Sequence, residues 1–351
     1  MSVLRVRGYA LPDGEPVDLY ADGDRWTDDP VPGAELAAEG WLVPGLVDAH
    51  THPGAHDPGK PLDEVVLRDD LRAHVAAGVT MIRSPGLAGN PPEWFGRDED
   101  VPRAVHAGPW IAQHGQFFDG WGRRATHAEM PAMAAEQAAR TGWVKFIGDW
   151  GVDDPPIPED VLAAVVAAVH AVGGRVAMHS QQAAGAVAVA AAVDSIEHGM
   201  CMDPALLSRM AAQGTALTPT LTVITKGLKR ARKFPDGPRK EWYVNGATSH
   251  PDLVRAAAEA GVTILAGTDS HPHGRIAEEI RALAAAGMPS HDAIGAGSWA
   301  ARAYLGLPGL VPGAPADAVV YDSDPRTDLA QLDAPSAVIL RGRLMHRKLM
   351  H

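Results

Sequence analysis

Leu46-Val47-Asp48-Ala49-His50-Thr51-His52-Pro53 is a short apolar run that ends in His-x-His, and the turn Pro44-Gly45 leads into it. Alternate side chains of a strand share a face, so His50 and His52 present two imidazoles to one spot at a strand end. Neutral imidazole is a good ligand for zinc and its neighbours. The rest of the chain is read as a scaffold that brings further ligands to this pair.

From Gly45 onward the pattern alternates strand with helix. The expected strands are 46–50, 79–83, 109–114, 143–147, 175–179, 194–198, 215–218 and 262–267. Helix signals lie between most of them. Pro158-Glu159-Asp160 opens one helix and Gly173-Gly174 closes it; Pro251-Asp252 opens another. Trp121-Gly122-Arg123-Arg124 and the segment 153–158 read as long loops, and a helix pair is expected over 277–286 and 291–305. Eight strand–helix repeats predict an α/β chain folded as a (β/α)₈ TIM barrel over 45–307, for which roughly 250 residues is typical. An open doubly wound sheet would carry a Gly-rich phosphate turn after an early strand, and the sequence has none. Both ends of the chain are β-rich: Leu4-Arg5-Val6, Val17–Tyr20 and Trp41–Val43 at one, Ala316–Tyr321 and Ser336–Leu344 at the other. Neither end can bury a core alone, so 1–44 and 308–351 are expected to pair as a small β-sandwich domain, reduced by the shortness of its N-terminal part.

Bulk properties restrict the function. A net charge of −12 argues against nucleic acid or an anionic membrane as the main partner, leaving a small-molecule substrate. No apolar stretch is long enough to span a bilayer. Cys201 is the single cysteine, so no intrachain disulfide can form and a cytoplasmic setting is expected. A homo-oligomer is left open.

The expected strand ends carry chemistry. Strand 1 ends in His50 and His52, strand 4 carries Lys145, strand 5 ends in His179, strand 6 in His198 and strand 8 in Asp269. A barrel assembles its site at the C-terminal ends of its strands, so these six converge. Together they suit two divalent cations. A buried ammonium among metal ligands would be repelled. A neutral Lys145 amine could instead add carbon dioxide, and the resulting lysine carbamate is an anion able to bridge both ions. The alternative is a salt bridge beneath the rim; four histidines and an aspartate at matching positions favour the carbamate. His179 or His198 alone would read as a core or rim histidine, and Asp269 alone as a helix N-cap. His271 and His273 form a second His-x-His, but in a Pro/Gly loop where alternation fails, so rim or surface roles, or at most substrate contact, are expected. His114, Trp121 and Arg123 are the candidate substrate contacts; Arg124, Lys226 and Arg230 are weaker ones. Cys201 reads as a packing residue.

This set resembles the amidohydrolase superfamily, and within it the imidazolonepropionase-like and prolidase-like members that use a carboxylated lysine from strand 4. The matching stretches are Pro44–His52, Val144-Lys145, Met178-His179, Ile196–Gly199 and Gly267–Asp269, with Gly309–Val320 like the family's return into its β-sandwich. The resemblance implies that His50, His52 and Asp269 hold one metal and His179 and His198 the other, with carboxylated Lys145 between them. Zinc is the default ion, with iron, manganese or cobalt as alternatives. It implies a metal-bridging hydroxide as nucleophile and Asp269 as the residue that relays its proton. Two stretches depart from the family. Arg83-Ser84 stands where relatives often have Arg-Asp. Phe118-Asp119-Gly120-Trp121-Gly122 stands where many have Gly-Gly-His, whose histidine touches the substrate carbonyl.

The expected activity is hydrolysis of an amide, peptide or cyclic amide bond. The same site could open a lactone, carbamate or phosphotriester. A mononuclear deaminase would lack the strand-4 lysine. A metal-free scaffold or binding protein would have lost ligands, and all six positions are filled here.

Overall fold

The computed structural model describes residues 3–152, 154–182 and 184–347. Around the His-x-His, the short strand β5 (Leu46–Asp48) is wholly buried and lies parallel to β6 (Val79–Ser84), which in turn pairs with β7 (Arg103–His106). Four earlier strands precede β5: β1 (Leu4–Ala10), β2 (Glu15–Asp22), β3 (Arg25–Thr27) and β4 (Glu35–Pro44). A second parallel sheet has the order β13-β12-β11-β10-β8-β9. Its members are β8 (Ile111–Gln113), β9 (Arg123–Ala125), β10 (Trp143–Ile147), β11 (Arg175–Ser180), β12 (Ser195–His198) and β13 (Ala216–Thr218). Strands buried on both faces are largely apolar, as β10 and β11 are apart from Lys145 and from Arg175, His179 and Ser180.

The two sheets touch at both sides. His106 bridges to Gly142 just before β10. The segment 263–269 reaches β13 through Leu217 N–H to Thr263 O and Leu265 N–H to Leu217 O, both 2.9 Å. On its other side Ala49 N–H donates to Ala266 O and Asp269 N–H to His50 O. Gly267 permits this approach, since a Cβ there would lie 2.5 Å from the His50 Cβ. The expected eighth strand thus makes one bridge, Leu217 to Ile264, rather than a ladder. Its backbone groups are shared among β13, Ala49, His50 and Ala296 instead of one neighbour.

The helices pack outside these sheets: α1 (Glu64–Ala76), α2 (Met130–Thr141), α3 (Glu159–Ala171), α4 (Ala184–Ala190), α5 (Leu207–Gln213), α6 (Leu221–Ala231), α7 (Pro238–Glu259), α8 (Ile276–Ala285), α9 (Ser290–Ala296) and α10 (Trp299–Tyr304). Apolar side chains between them and the strands, such as Leu67, Val144, Leu162, Met178 and Ile280, form the main core. No described helix is long and apolar enough to cross a membrane.

Several boundaries differ from expectation. The strand beside β6 is β7; Arg103-Ala104-Val105-His106 is half-buried throughout and lacks an apolar run. The expected strand 109–114 shrinks to β8, and the loop read at Trp121–Arg124 ends in β9. Pro251 lies inside the 22-residue α7 rather than opening a helix. The helix expected over 291–305 is two, parted at Gly297-Ser298, where Ser298 Oγ donates to Pro44 O. The loop read at 153–158 is present over 154–158, Asp153 lying outside the described residues.

Both chain ends meet in one seven-stranded sheet, order β16-β15-β14-β4-β1-β2-β3, completed by β14 (Ala318–Tyr321), β15 (Ala337–Leu340) and β16 (Arg343–Arg347). β15 and β16 form a hairpin turned by Arg341 and Gly342, both at positive φ (51° and 71°), as a type I′ turn requires. Among the described residues there is one curled sheet where two facing sheets were expected. It curls until Arg25 bridges Pro315, and it encloses Val6, Leu19, Trp26, Leu42, Val320 and Ile339. Residues 1, 2 and 348–351 lie outside the described residues.

Candidate active site

In the parallel register Ile147 stands beside His179, His179 beside Glu197 and Glu197 beside Thr218. Side chains in register share a face, so His179 and Glu197 point the same way, and Lys145 points there from two residues earlier on β10. His198 follows Glu197 directly and would face outward in a regular strand. Its φ of +69° turns it back, and its ring lies 5.0 Å from His50 and 4.6 Å from His179. Asp269 also has positive φ (+43°). Non-glycine residues hold such conformations at a cost and cluster at functional sites. The six residues expected to converge, His50, His52, Lys145, His179, His198 and Asp269, all line one cavity of about 440 Å³.

Hydrogen bonds fix the proton positions on the His-x-His pair. His52 Nδ1 lies 2.7 Å from Gly86 O; a carbonyl only accepts, so Nδ1 carries the hydrogen. His50 Nδ1 lies 2.6 Å from Glu197 Oε2. Burial alone would push the Glu197 carboxyl up, but Arg83, Lys145 and His50 hold it well below the usual carboxylate range. Glu197 is therefore ionised and His50 Nδ1 donates to it. Burial, with the Lys145 ammonium next, pushes His50 down to about 4. Burial, with His50 next, takes His52 well below its usual value. Both rings are neutral, and both Nε2 atoms carry lone pairs. Those atoms stand 3.1 Å apart, with Asp269 Oδ1 at 3.8 Å from one and 3.4 Å from the other. Lone pairs facing at this distance repel unless a cation lies between them. Donors on one zinc ion, each about 2.0–2.2 Å from it, are separated by roughly 3.0–3.5 Å. The triangle fits. Ligand atoms of His50, His198 and Asp269 also lie within 4.8 Å of one another. His198 Nδ1 is 2.8 Å from Thr220 Oγ1, and His179 Nε2 is 4.0 Å from Asp149 Oδ1.

Lys145 is buried at 2% exposure. Burial lowers its ammonium to about 8, against the raising pull of Glu197; Arg83 adds to the lowering. Burial raises Asp269 to about 7 although Lys145 opposes it.

The sequence reading missed the support beneath these groups. Arg83 Nη2 donates to Glu197 Oε1 (2.8 Å) and Oε2 (3.0 Å) and to Thr218 Oγ1, while its Nε donates to Ala49 O. Ser195 Oγ donates to Glu197 Oε1. Arg83 and Glu197 are both fully buried. Breaking a buried ion pair from one side costs about 3–5 kcal/mol. Arg83→Met should therefore lower the free energy of unfolding, measured by urea titration, by about 3–5 kcal/mol, and Ser195→Ala by much less. The carboxylate at 197 is a signal the sequence offered, since an ionised group on a buried strand needs partners.

The expected substrate contacts divide. Trp121 lines the cavity, stacked on Trp110 at 5.2 Å; Phe117, Phe118 and Trp150 complete an aromatic wall. Gly86 makes room for Trp110, whose ring nitrogen would lie 2.1 Å from a Cβ there. Two expectations are corrected. His114 is exposed in the turn after β8, because Gly115 at positive φ turns the chain outward. Arg123, on β9, lies toward α2, with Gln137 Oε1 at 3.5 Å and Glu136 Oε2 at 3.6 Å. Neither is among the residues that line the cavity. Arg230 of α6 lines it, as do His271 and His273; Lys226 instead reaches Ser270 Oγ at 3.2 Å.

A family model described as "Amidohydrolase family" matches residues 41–345. An uncharacterized protein of Mycobacterium tuberculosis (strain ATCC 25618 / H37Rv), Rv2915c, is 38% identical, the match covering 97% of this chain and 95% of that one. Among solved structures, a Xaa-Pro dipeptidase with methionine bound in its active site superposes with a TM-score of 0.84 at 22% identity, covering 98% of this chain and 99% of that one. The ochratoxinase of A. niger gives 0.83 at 21% identity, covering 99% and 96%. At these identities the two structures speak for the fold.

Proposed function

Because the chain belongs to the amidohydrolase family, we propose that it is a metal-dependent hydrolase of amide, peptide or cyclic amide bonds. The observation that carries this reading is the pair of neutral imidazole nitrogens 3.1 Å apart beside Asp269. We read the two parallel sheets and the segment 263–269 as one closed (β/α)₈ barrel over 45–307, with 1–44 and 308–351 as a companion domain. His50, His52 and Asp269 would hold one divalent cation, and His179 and His198 a second. Lys145, as a carbamate, would serve both. Zinc suits the imidazole and carboxylate donors, with iron, manganese or cobalt as other candidates. When bound, the cations supply a hydroxide nucleophile near neutral pH and polarise the scissile carbonyl.

The chain's own residues do the rest. Asp269, whose carboxylate stands 3.4 Å from His52 Nε2 at the cavity, is placed to take a proton and return it to the leaving amine. Glu197 and Gly86 O fix the tautomers of His50 and His52, as outer partners of metal ligands do. The wall of Trp110, Phe117, Trp121 and Trp150 excludes water and favours a flat apolar acyl or amine group. Arg230, at the open side, suits a substrate carboxylate. Arg230→Met should raise KM roughly tenfold (about 1.4 kcal/mol) for N-acyl amino acids and leave KM for the matching amides unchanged.

The test is a screen of metal-loaded protein against N-acyl amino acids, dipeptides, lactones and phosphotriesters. Turnover confined to the first two, and lost with a chelator, supports the proposal. Turnover of lactones or phosphotriesters alone would assign the site to another bond.

A further inference from the structure

A second group of ring nitrogens lies at the mouth of the same cavity, and the reaction above does not use it. His56 lies beyond the His-x-His; His271 and His273 follow Asp269. One ligand atom from each lies within 4.8 Å of the other two. The ring centres of His271 are 4.2 Å from His56 and 4.5 Å from His273. Behind them stands Asp70 of α1. Its Oδ2 accepts from Gly54 N–H at 2.8 Å and lies 2.8 Å from His56 Nε2 and 3.4 Å from His273 Nε2.

His273 makes the cluster more than a surface arrangement. Its side chain is 1% exposed. Thr51 Oγ1 engages its Nδ1 at 3.1 Å, so Nε2 is the nitrogen left to face Asp70 and the cluster. That atom is buried and forms no hydrogen bond; Asp70 Oδ2 stands 3.4 Å from it. A buried polar atom without a partner is unfavourable, and a bound cation would supply one. Three imidazoles crowded together, one with an orphaned nitrogen and a carboxylate beside it, are the donor set of a borderline divalent ion.

We propose that His56, His271 and His273, backed by Asp70, hold a further divalent cation of the zinc type at the cavity rim, separate from the pair below. Such an ion ties the loop after His52 to the loop after Asp269 and to α1. It braces from outside the two segments that carry His50, His52 and Asp269.

The experiment compares zinc stoichiometry by equilibrium dialysis against micromolar zinc. The proteins are the full chain and its His56→Ala/His271→Ala variant, both altered positions being solvent-exposed. The full chain should bind one equivalent more than the variant. Repeating the pair in a Lys145→Ala background removes central binding that depends on that lysine. The difference should again be one. Because the result is a difference, it does not depend on how many ions the central cluster holds, so this proposal and the hydrolase reading can fail separately. Thermal unfolding of the metal-free proteins checks that the variant is folded; if it is not, His271→Gln alone replaces it in the same comparison. Equal stoichiometry in folded proteins overturns the proposal and leaves a hydrogen-bonded histidine–aspartate cluster.

Discussion

Lys145→Ala should reduce kcat/KM by roughly 10³-fold or more and remove at least one metal equivalent, while thermal unfolding of the metal-free protein shifts little. The lysine is buried at 2% exposure, and burial lowers its ammonium to about 8. The neutral amine, which alone can add carbon dioxide, is therefore within reach at neutral pH. A lysine kept only as an ion pair to Glu197 would behave differently. Its removal would destabilise the protein and leave metal content intact. Two further readouts separate these cases. Reactivation of chelated enzyme by zinc should require bicarbonate, and short carboxylic acids should restore part of the lost rate to the alanine variant. Neither follows from an ion pair.

Asp269→Asn should lower kcat by about 10²–10⁴-fold with little change in KM, the signature of a proton-transfer group. The fold should survive. The backbone N–H at 269 still donates to His50 O, and asparagine tolerates the φ of +43° better than most residues. The same variant carries a pH signature in the metal-free protein. Asp269 has a folded pKa of about 7, above its ordinary value of 3.8. A carboxyl raised in this way contributes stability at low pH, lost as pH rises through 7. Metal-free wild type should thus lose stability between about pH 4 and 7 relative to Asp269→Asn, measured as the difference in urea midpoints. A difference independent of pH would mean that the 269 carboxyl is not forced up by its surroundings.

The residues legible in the sequence were those whose position followed from strand ends. His50, Lys145, His179 and His198 close or occupy an expected strand, His52 and Asp269 follow one by two residues, and all six line one cavity. The side chains that support them were not. Glu197 sits next to His198, and alternation predicts that only one of the two faces inward; the +69° φ at His198, which lets both do so, has no sequence signal. β7 was hidden because its side chains are half-buried and mixed in polarity. Of the rim histidines, His271 and His273 were read in rim or surface roles and His56 was not singled out, because Asp70 approaches from a helix and Thr51 from another loop. His114 and Arg123 show the converse: a place in the chain near a strand end does not fix a loop's direction.

The central claim is that two cations share the cavity with an anionic Lys145. Anomalous X-ray diffraction from zinc-loaded crystals tests it most directly. The account predicts two anomalous peaks among His50, His52, His179, His198 and Asp269, with density beyond Lys145 Nζ for three further atoms. An unmodified Lys145 amine with no peak beside His50 and His52 would contradict it.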